Sequence, residues 1–307
     1  MISFSTIIRS AGALLIIAIT ASVLLSFATE EEIPCSPPEG TERGVPVLAY
    51  HYFNDRNIAE RALRAVGTVL LNLPLLDTRD AWAISASSFE KHLRYLQENG
   101  FRAITMAELE RYLLEGVKPA EKCVAITFDD GDRSVYRYAY PLLKKYHMQG
   151  ALFLITSKPG TEWNELEISN WKELEEMEDS GVIEIHSHTH DMHYKVTKGK
   201  SPHPVFQIDR SETDREKIAG IAGDLRRSRI AIRHHLGKTT RFLAWPYGFS
   251  TPLGDSLAAE SGFDMIVTLK RGPNLPGDPL KRVRRFTITP RTSMRNFREM
   301  VEGSVQK

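Results

Sequence analysis

Two adjacent carboxylates, Asp129 and Asp130, follow an apolar run in the segment AITFDDGDRS, residues 125–134. Like charges repel each other and prefer water, so this placement at the end of a buried strand is unfavourable unless a cation or a proton compensates it. A divalent metal ion would provide that compensation. The plain alternative is that one aspartate caps a helix starting near Ser134 while the other faces solvent.

A second polar cluster follows another apolar run, and it favours the metal. The segment VIEIHSHTHDMH, residues 182–193, carries four histidines within eight positions, a density that core packing explains poorly. Histidine and carboxylate ligands suit zinc or a similar divalent ion, and a site with three protein ligands leaves a position open for water.

Two ligand sets are compatible with this spacing. If the run stays extended, His186, His188 and His190 share one face with period two and bind together. If the strand ends at His188 and the chain turns, His193 returns beside it and Asp130 completes the set. The spacing alone does not separate these alternatives.

The elements that must position these residues alternate between strands and helices. Apolar, β-rich runs predict strands at residues 45–53, 123–128, 151–156, 182–187, 241–247 and 264–269. The helices between them begin with capping-box patterns, Ser87 with Glu90 and Thr105 with Glu108. This alternation implies parallel strands with helices packed outside, hence an α/β sheet or barrel. Ligands of such folds bind at the carboxyl ends of the strands, where the paired aspartates lie.

The amino-terminal segment has a different composition from the rest of the chain. No residue from position 10 to position 29 is charged, and residues 11–28 form an apolar stretch. This predicts an exported protein, extracellular or at the cell surface, with residues 1–29 as a cleaved signal peptide or a retained anchor. Residues 30–44 are polar and contain prolines, which is typical of a linker, and the folded domain is expected at 45–307.

The chain as a whole is close to electrically neutral. Its 40 lysines and arginines nearly balance 39 aspartates and glutamates, so nucleic acid is not expected as a partner. The apolar segment at residues 62–77 is too short to span a membrane. We expect it to pack as a core helix, with peripheral membrane association as the alternative. No signal for an oligomeric state is readable.

Three motifs occur in a specific order: TFDDG at 127–131, SHTHDMH at 187–193 and WPYG at 245–248. Together they resemble the polysaccharide deacetylases of the NodB-homology type, carbohydrate esterase family four, over roughly residues 45–290. The resemblance implies a distorted (β/α) barrel with parallel strands inside and helices outside. It also implies a metal-dependent hydrolase that removes acetyl groups from an N-acetylglucosamine polymer, with Zn²⁺ as the expected ion and Co²⁺ or Ni²⁺ as alternatives.

The resemblance also implies roles for individual residues. Carried over to this chain, it makes Asp129 the general base and Asp130, His188 and His193 the metal ligands, which corresponds to the second ligand set. The five-residue step between the two histidines is similar to that of the branch acting on poly-β-1,6-N-acetyl-D-glucosamine, the intercellular adhesion type.

Two departures from the commoner family pattern bear on the catalytic acid and the base. No histidine follows His235, whereas the early segment VLAYHYF resembles the branch in which this histidine, here His51, supplies the acid. Ala244 stands where many relatives have an arginine that orients the base. Arg284 and Arg285 are the candidate replacements.

The WPYG motif has a structural and a functional interpretation. Proline and glycine make a tight turn whatever the function. In the functional interpretation, the turn at Trp245, Pro246 and Tyr247 aims the backbone N–H of Tyr247 at a developing oxyanion, and Trp245 helps to form the sugar pocket. Tyr136, Tyr138 and Trp163 are further aromatic candidates for the cleft, with core packing as the default for each.

The sequence therefore favours an enzyme, a deacetylase of poly-β-1,6-N-acetyl-D-glucosamine in a biofilm matrix. Within the same class, the alternative is a deacetylase of chitin oligosaccharides or peptidoglycan that combines this site with a different cleft. From other classes, the alternatives are a non-catalytic carbohydrate-binding domain and a metal-storage or metal-sensing protein. The base, the three ligands and a candidate acid are all present, which argues against a silent domain.

Overall fold

The computed structural model of the protein describes residues 44–54, 81–198, 201–208 and 213–302. The segment predicted for export (1–29) and the apolar segment 62–77, expected as a core helix with membrane association as the alternative, lie outside these residues, as does the linker except for Gly44. Those interpretations stay predictions. Among the described residues, no helix is both long enough and apolar enough to cross a membrane.

Short strands alternate with helices along the described chain. The strands are β1 (Val47–Tyr50), β2 (Tyr52–Asn54), β3 (Ala83–Ser85), β4 (Arg102–Ala103), β5 (Cys123–Asp130), β6 (Gly150–Leu154), β7 (Glu162–Trp163), β8 (Leu166–Glu167), β9 (Ile183–Ser187), β10 (Lys195–Lys198), β11 (Ser201–Pro204), β12 (Phe242–Ala244), β13 (Met265–Val267) and β14 (Phe286–Thr287). The α-helices are α1 (Ala86–Glu98), α2 (Met106–Glu115), α3 (Tyr140–Lys145), α4 (Trp171–Asp179), α5 (Arg215–Leu236), α6 (Pro252–Glu260) and α7 (Met294–Glu302). A π-helical turn, Val135–Ala139, leads directly into α3.

Eight of these strands form one sheet in which every pairing is parallel. Its order is β13, β12, β9, β6, β5, β1, β14, and β4 pairs with the start of β5. The two ends of this order come together at residues 283–287. Val283 bridges to Val267 of β13, and Phe286 of β14 pairs with Leu48 of β1. The sheet is thus curled into a distorted barrel with helices outside, and the predicted fold class is confirmed.

Strand β5, the longest of the sheet, is buried on both of its faces. Period two places Ala125, Thr127 and Asp129 on one face, and Ala125 belongs to the apolar cluster inside the barrel. The alternate residues, including Ile126 and Phe128, pack in the cluster shared with the outer helices. Asp129 therefore points into the barrel, where an unpaired carboxylate would be costly.

The capping boxes show where sequence patterns located the helices well and where they did not. Thr105 and Glu108 form the predicted reciprocal capping box at the start of α2. The predicted cap at Ser87 is wrong by two residues, because the side chain of Ser85 accepts the hydrogen bond from the Ser88 N–H and α1 begins at Ala86. All six predicted strands are present, whereas the two-residue closing strand β14 was not predicted.

Candidate metal centre and active site

The turn after β5 sends the two adjacent aspartates to different partners. Asp130 has a positive φ of 73°, which aspartate tolerates better than most residues, and Gly131 follows with φ 103°. A Cβ on Gly131 would lie 2.5 Å from Leu154 Cδ1, so glycine is needed here. The chain leaves the strand at this point, with Asp129 facing Arg285 and Asp130 facing two histidines.

The side chains of Asp130, His188 and His193 converge across the end of β6. Strands β5 and β9 flank β6, and His188 directly follows the last residue of β9. Asp130 Oδ1 lies 3.4 Å from His188 Nε2 and 3.3 Å from His193 Nε2. One ligand atom from each of the three residues lies within 4.8 Å of the others.

A backbone contact sets the orientation of the His188 ring. Its Nδ1 lies 2.7 Å from the carbonyl oxygen of Ala244, so Nδ1–H donates to that oxygen. The other ring nitrogen, Nε2, is left facing Asp130. In a metal-binding histidine, the ring nitrogen that does not bind the metal usually donates a hydrogen bond of this kind. That bond fixes the tautomer and the orientation of the ring.

Burial and charge leave the other two members of the site ready to bind a cation. Burial lowers the pKa of His193 to about 4, so its imidazole is neutral at pH 7 and its lone pair is available. Burial alone would raise the pKa of Asp130, but the neighbouring imidazoles of His193 and His188 hold it well below its ordinary value. Asp130 is therefore a carboxylate at neutral pH.

The hydrogen bonding of Asp130 provides a test of whether these residues fit a metal. Its Oδ2 accepts a short hydrogen bond from the Tyr52 hydroxyl. Its Oδ1 is buried and accepts none from the described residues, and two imidazole nitrogens lie near it instead. One carboxylate oxygen and two imidazole nitrogens are a zinc-type donor set with further positions open, so the residues fit a divalent ion.

Asp129 is neutralised by Arg285, which lies just before β14. The guanidinium donates to Asp129 Oδ1 at 2.7 Å and to Oδ2 at 2.8 Å, and it also donates to the carbonyl oxygen of Thr268 at 2.9 Å. Arg285 has no exposed surface and Asp129 is 2% exposed. Burial alone would raise the pKa of Asp129, but the Arg285 charge holds it below its ordinary value. Arg285 thus contacts the carboxylate, whereas Arg284 pairs with Asp278.

His51 lies between β1 and β2 on the same side of the barrel as the aspartates. It is 9% exposed, its ring contacts that of Trp82, and its Nδ1 has no hydrogen-bond partner in the described part of the chain. Burial lowers the pKa of His51, and the negative charge of Asp129 partly offsets this effect. The ring is therefore close to the site and holds a proton only weakly.

The alternative ligand set of His186, His188 and His190 is not formed. The ring of His186 is hydrogen bonded to Thr240 and Glu184, and that of His190 lies 3.0 Å from Thr156 Oγ1. Strand β9 ends at Ser187, so the alternation that would align three histidines does not continue.

The WPYG motif needs one correction. Trp245 is 1% exposed, stacks on Phe206 and donates its indole N–H to Asp255, so the interpretation that it forms a sugar pocket is wrong. Its large apolar ring is used in the core under the turn. Pro246 is buried as well, whereas Tyr247 is 38% exposed.

Tyr247 and Trp163 both lie against the ring of His193, one of the candidate metal ligands. The Tyr247 ring centroid is 4.5 Å from that of His193, and Trp163 meets His193 edge to face at 5.0 Å. Tyr136 instead stacks on Tyr140 and donates to Glu176. Between Trp163 and Tyr136, Trp163 is thus the aromatic candidate for the cleft that the structure brings against a candidate ligand.

Two site residues were not assigned from the sequence. Tyr52 donates to Asp130, and its only sequence signal is its position next to His51. Asp224 in α5 accepts hydrogen bonds from the backbone N–H groups of His190 and Asp191. It stands in an ordinary charged helix, and no local pattern distinguishes it from a solvated aspartate.

Comparison with known proteins places this chain among deacetylases. Residues 116–266 match the family model described as polysaccharide deacetylase. The poly-beta-1,6-N-acetyl-D-glucosamine N-deacetylase of Staphylococcus aureus (strain MRSA252) is 33% identical over 168 residues, 54% of each chain. The enzyme of the same name from Staphylococcus epidermidis is 28% identical over 209 residues, 68% of each chain.

The solved structure of IcaB from Ammonifex degensii is similar over nearly its full length. It is 31% identical, with a TM-score of 0.70, and the alignment covers 85% of this chain and 98% of that one. The chain spans about half the length of the S. aureus relative that it matches.

Proposed function

Because the chain belongs to the polysaccharide deacetylase family, we propose that it hydrolyses the N-acetyl groups of poly-β-1,6-N-acetyl-D-glucosamine and releases acetate. Two curated relatives carry the name of that activity. The observation that carries the proposal is the convergence of Asp130 Oδ1 with the Nε2 atoms of His188 and His193. This donor set lies beside a buried, ionised Asp129 and a buried His51.

In this proposal Asp130, His188 and His193 hold a divalent ion, for which Zn²⁺ is the first candidate. When bound, such an ion would polarise the acetyl carbonyl and lower the pKa of water towards roughly 7. Tyr52 keeps the Asp130 carboxylate oriented through its Oδ2, so that Oδ1 remains directed at the two histidines.

Asp129 is the proposed general base. It takes a proton from the attacking water as the oxygen of that water bonds to the acetyl carbon. Arg285 holds both oxygens of Asp129, which keeps the carboxylate ionised and oriented although it is buried. The arginine absent at Ala244 is in this way replaced by Arg285 from the segment just before β14.

His51 is the proposed general acid. As the bond between the acetyl carbon and nitrogen breaks, His51 delivers a proton to the departing sugar amine, which leaves poorly without it. Burial lowers the pKa of His51, so its protonated form gives up the proton readily, while a smaller fraction of the molecules carries that proton at pH 7. The backbone N–H of Tyr247 is the proposed donor to the developing oxyanion.

The proposal for the biological setting rests on the amino-terminal sequence alone. We propose that the protein is exported and acts on matrix polymer at the cell surface, with residues 11–28 as signal or anchor. Detection of the mature amino terminus and of the cellular fraction that contains it tests this part separately from the activity.

Acetate release from defined substrates tests the activity. Zinc-loaded protein is incubated with acetylated β-1,6-glucosamine oligomers, chitin oligomers and peptidoglycan fragments, and we expect release from the β-1,6 oligomers to be fastest. If acetate were released faster from chitin oligomers or peptidoglycan fragments, the proposed substrate would be wrong but the proposed deacetylation would stand. If no acetate were released from any of the three substrates, the proposal that the protein is a deacetylase would be refuted.

Two variants test the assigned roles. We expect Asp129→Asn to keep zinc but lower turnover by on the order of 10²- to 10⁴-fold, because it removes the base and no ligand. We expect His188→Ala to lose zinc, and His190→Ala, a histidine of the same segment outside the donor set, to keep it. Equal loss of zinc from Asp129→Asn and His188→Ala would contradict these roles.

A further inference from the structure

The chain must reverse sharply between His188 and His193 to bring the second imidazole back beside the first. Thr189 accordingly has a positive φ of 72°. The backbone groups of such a loop leave the β-ladder, so each needs another hydrogen-bond partner if it is buried. How this loop is held determines where the His193 ring lies.

Asp224 of α5 supplies partners for two consecutive amides of this loop. Its Oδ1 accepts from the His190 N–H at 2.8 Å, and its Oδ2 accepts from the Asp191 N–H at 2.9 Å. Asp224 is 3% exposed although it lies on a helix rich in charged residues. Both carboxylate oxygens are thus used on the loop, and hydrogen bonds to a carboxylate are stronger than those between neutral groups.

The same helix also holds the loop by apolar packing. Met192, the residue before His193, is buried in one cluster with Ile221 and Leu225. These two residues lie three positions before and one position after Asp224 in α5. The carboxylate and the apolar face of one helix therefore both hold the part of the loop that follows Thr189.

The loop also has contacts to the segment that follows β6 and to residues near the sheet: the Ser157 N–H donates to the His190 carbonyl oxygen at 3.0 Å, and Lys158 pairs with Asp191 at 2.6 Å. Thr189 N–H donates to Ser187 Oγ at 3.1 Å, and Thr189 O accepts from Thr156 N–H at 3.2 Å. A salt bridge within the helix does not account for the burial of Asp224. Its contact with Arg227 is 3.5 Å long, and that arginine side chain is 57% exposed.

We propose that Asp224 is a positioning residue that holds the His188–His193 loop in the conformation that binds the metal. The proposal rests on the proposed function in so far as it concerns the same metal site. It assigns no chemical step to Asp224, which acts only through the backbone N–H groups of His190 and Asp191. Partners of metal ligands in other proteins typically change metal affinity by 10- to 100-fold when they are removed.

The test compares Asp224→Asn and Asp224→Ala with a matched control. The asparagine is nearly isosteric but turns an NH₂ group towards one of the two donor amides. The control, Glu110→Gln, also neutralises a buried carboxylate, one that Arg241 holds away from the metal site. Zinc affinity is measured by competition with a chromophoric chelator, and the visible absorption spectrum of the Co²⁺-loaded protein reports the ligand geometry.

We expect Asp224→Asn to weaken zinc binding about 10-fold and Asp224→Ala about 100-fold, with an altered Co²⁺ spectrum, while Glu110→Gln leaves both unchanged. In the metal-free proteins, the peptide that contains residues 188–193 should exchange its amide hydrogens faster in both Asp224 variants than in the wild type. In Glu110→Gln the exchange of this peptide should be unchanged. This last measurement needs neither metal nor substrate and still applies if a variant is less stable.

The proposal is overturned if the Asp224 variants bind zinc like the wild type with the same Co²⁺ spectrum, or if Glu110→Gln weakens binding equally. Unchanged exchange in the loop peptide also overturns it, as does a wild-type protein that takes up no zinc. A wild type that binds zinc but releases no acetate refutes the proposed function and leaves the role of Asp224 in metal binding intact.

Discussion

At the residue scale, the two adjacent aspartates are compatible with one buried strand end because each has its own cation or cation site. Asp129 is held by the Arg285 guanidinium, and Asp130 faces two imidazoles and a tyrosine hydroxyl. The structural alternative of a helix cap beside a solvated aspartate does not describe either residue, since both are 2% exposed.

Arg285→Met tests the first of these pairs. Removing one partner of a buried ion pair leaves an uncompensated charge, so we expect the variant to lose about 3 to 5 kcal/mol of unfolding free energy at pH 7. Its neighbour Arg284→Met is the matched control and should lose about 1 kcal/mol or less, because the pair with Asp278 is partly exposed.

The pH dependence gives this prediction a sign. The folded pKa of Asp129 lies below its unfolded value, so its contribution is present above pH of about 4 and is lost as the pH falls through the folded pKa. In Arg285→Met, burial without the guanidinium raises the pKa of Asp129. The difference in unfolding free energy between the wild type and Arg285→Met should therefore narrow on acidification. The pH at which activity is lost on the acid side should be higher in the variant than in the wild type. A gap independent of pH would contradict the assigned pairing.

At the scale of elements, the site is built by turns that follow parallel strands. The turn after β12 is held from beneath, because Asp255 accepts from the Trp245 indole at 3.1 Å and from Ser250 Oγ at 2.6 Å, and Arg282 also contacts it. Arg282 belongs to the segment that leads to Arg285. One buried carboxylate therefore connects the turn that carries Tyr247 with the segment that carries the partner of the base.

Gly248→Ala tests the importance of this turn. Gly248 has φ 65°, and an added Cβ would lie 2.5 Å from Leu269 Cβ and 2.7 Å from the Leu269 backbone nitrogen. We expect the variant to lose about 1 to 2 kcal/mol from the backbone conformation and about 1 to 3 kcal/mol more from the clash. Displacement of Tyr247 should also lower kcat.

Gly181→Ala is the control for the backbone contribution. Gly181 has φ 69°, but an added Cβ meets nothing within 4 Å. In chemical denaturation, Gly181→Ala should lose only the about 1 to 2 kcal/mol that comes from the backbone conformation. It should keep the kcat of the wild type. If the two glycine variants were equally stable and equally active, contact with Leu269 would not constrain the turn.

At the scale of the whole molecule, the donor set joins parts of the chain that are distant in sequence. Asp130 ends β5, whereas His188 and His193 follow β9, which lies two places away in the sheet. Contacts with Ala244 of β12 and Asp224 of α5 hold the segment that carries the two histidines. A bound ion would link these parts in the folded state only. Metal binding is therefore expected to stabilise the fold as a whole.

Thermal unfolding with and without zinc measures this linkage. At a free zinc concentration of 100 times Kd, we expect about 2.7 kcal/mol of added stability relative to chelator-treated protein. His193→Ala should abolish most of the increase in Tm, and His235→Ala, whose ring stacks on Trp171 away from the site, should keep it. An equal increase in both variants would mean that zinc binds elsewhere.

Much of this organisation was predictable from local patterns. The apolar runs located six strands because a strand in a parallel sheet is buried on both faces and its side chains must be apolar. The same logic made Asp129, Asp130 and the histidines of residues 186–193 conspicuous at the strand ends, whereas the resemblance to deacetylases supplied His51 and the roles of base, acid and ligands. The Thr105 capping box was predictable because it depends on residues three positions apart.

What the sequence by itself determined is thus the alternation of strands and helices and the identity of the polar residues that follow strand ends, since both depend on local spacing. Only the tertiary structure decided that Arg285 rather than Arg284 neutralises Asp129, that Trp245 is a core residue, and that Asp224 holds the ligand loop. Each of these depends on contacts between residues far apart in the chain. Local spacing carries no information about such contacts, because the curvature of the sheet and the packing of α5 bring the partners together.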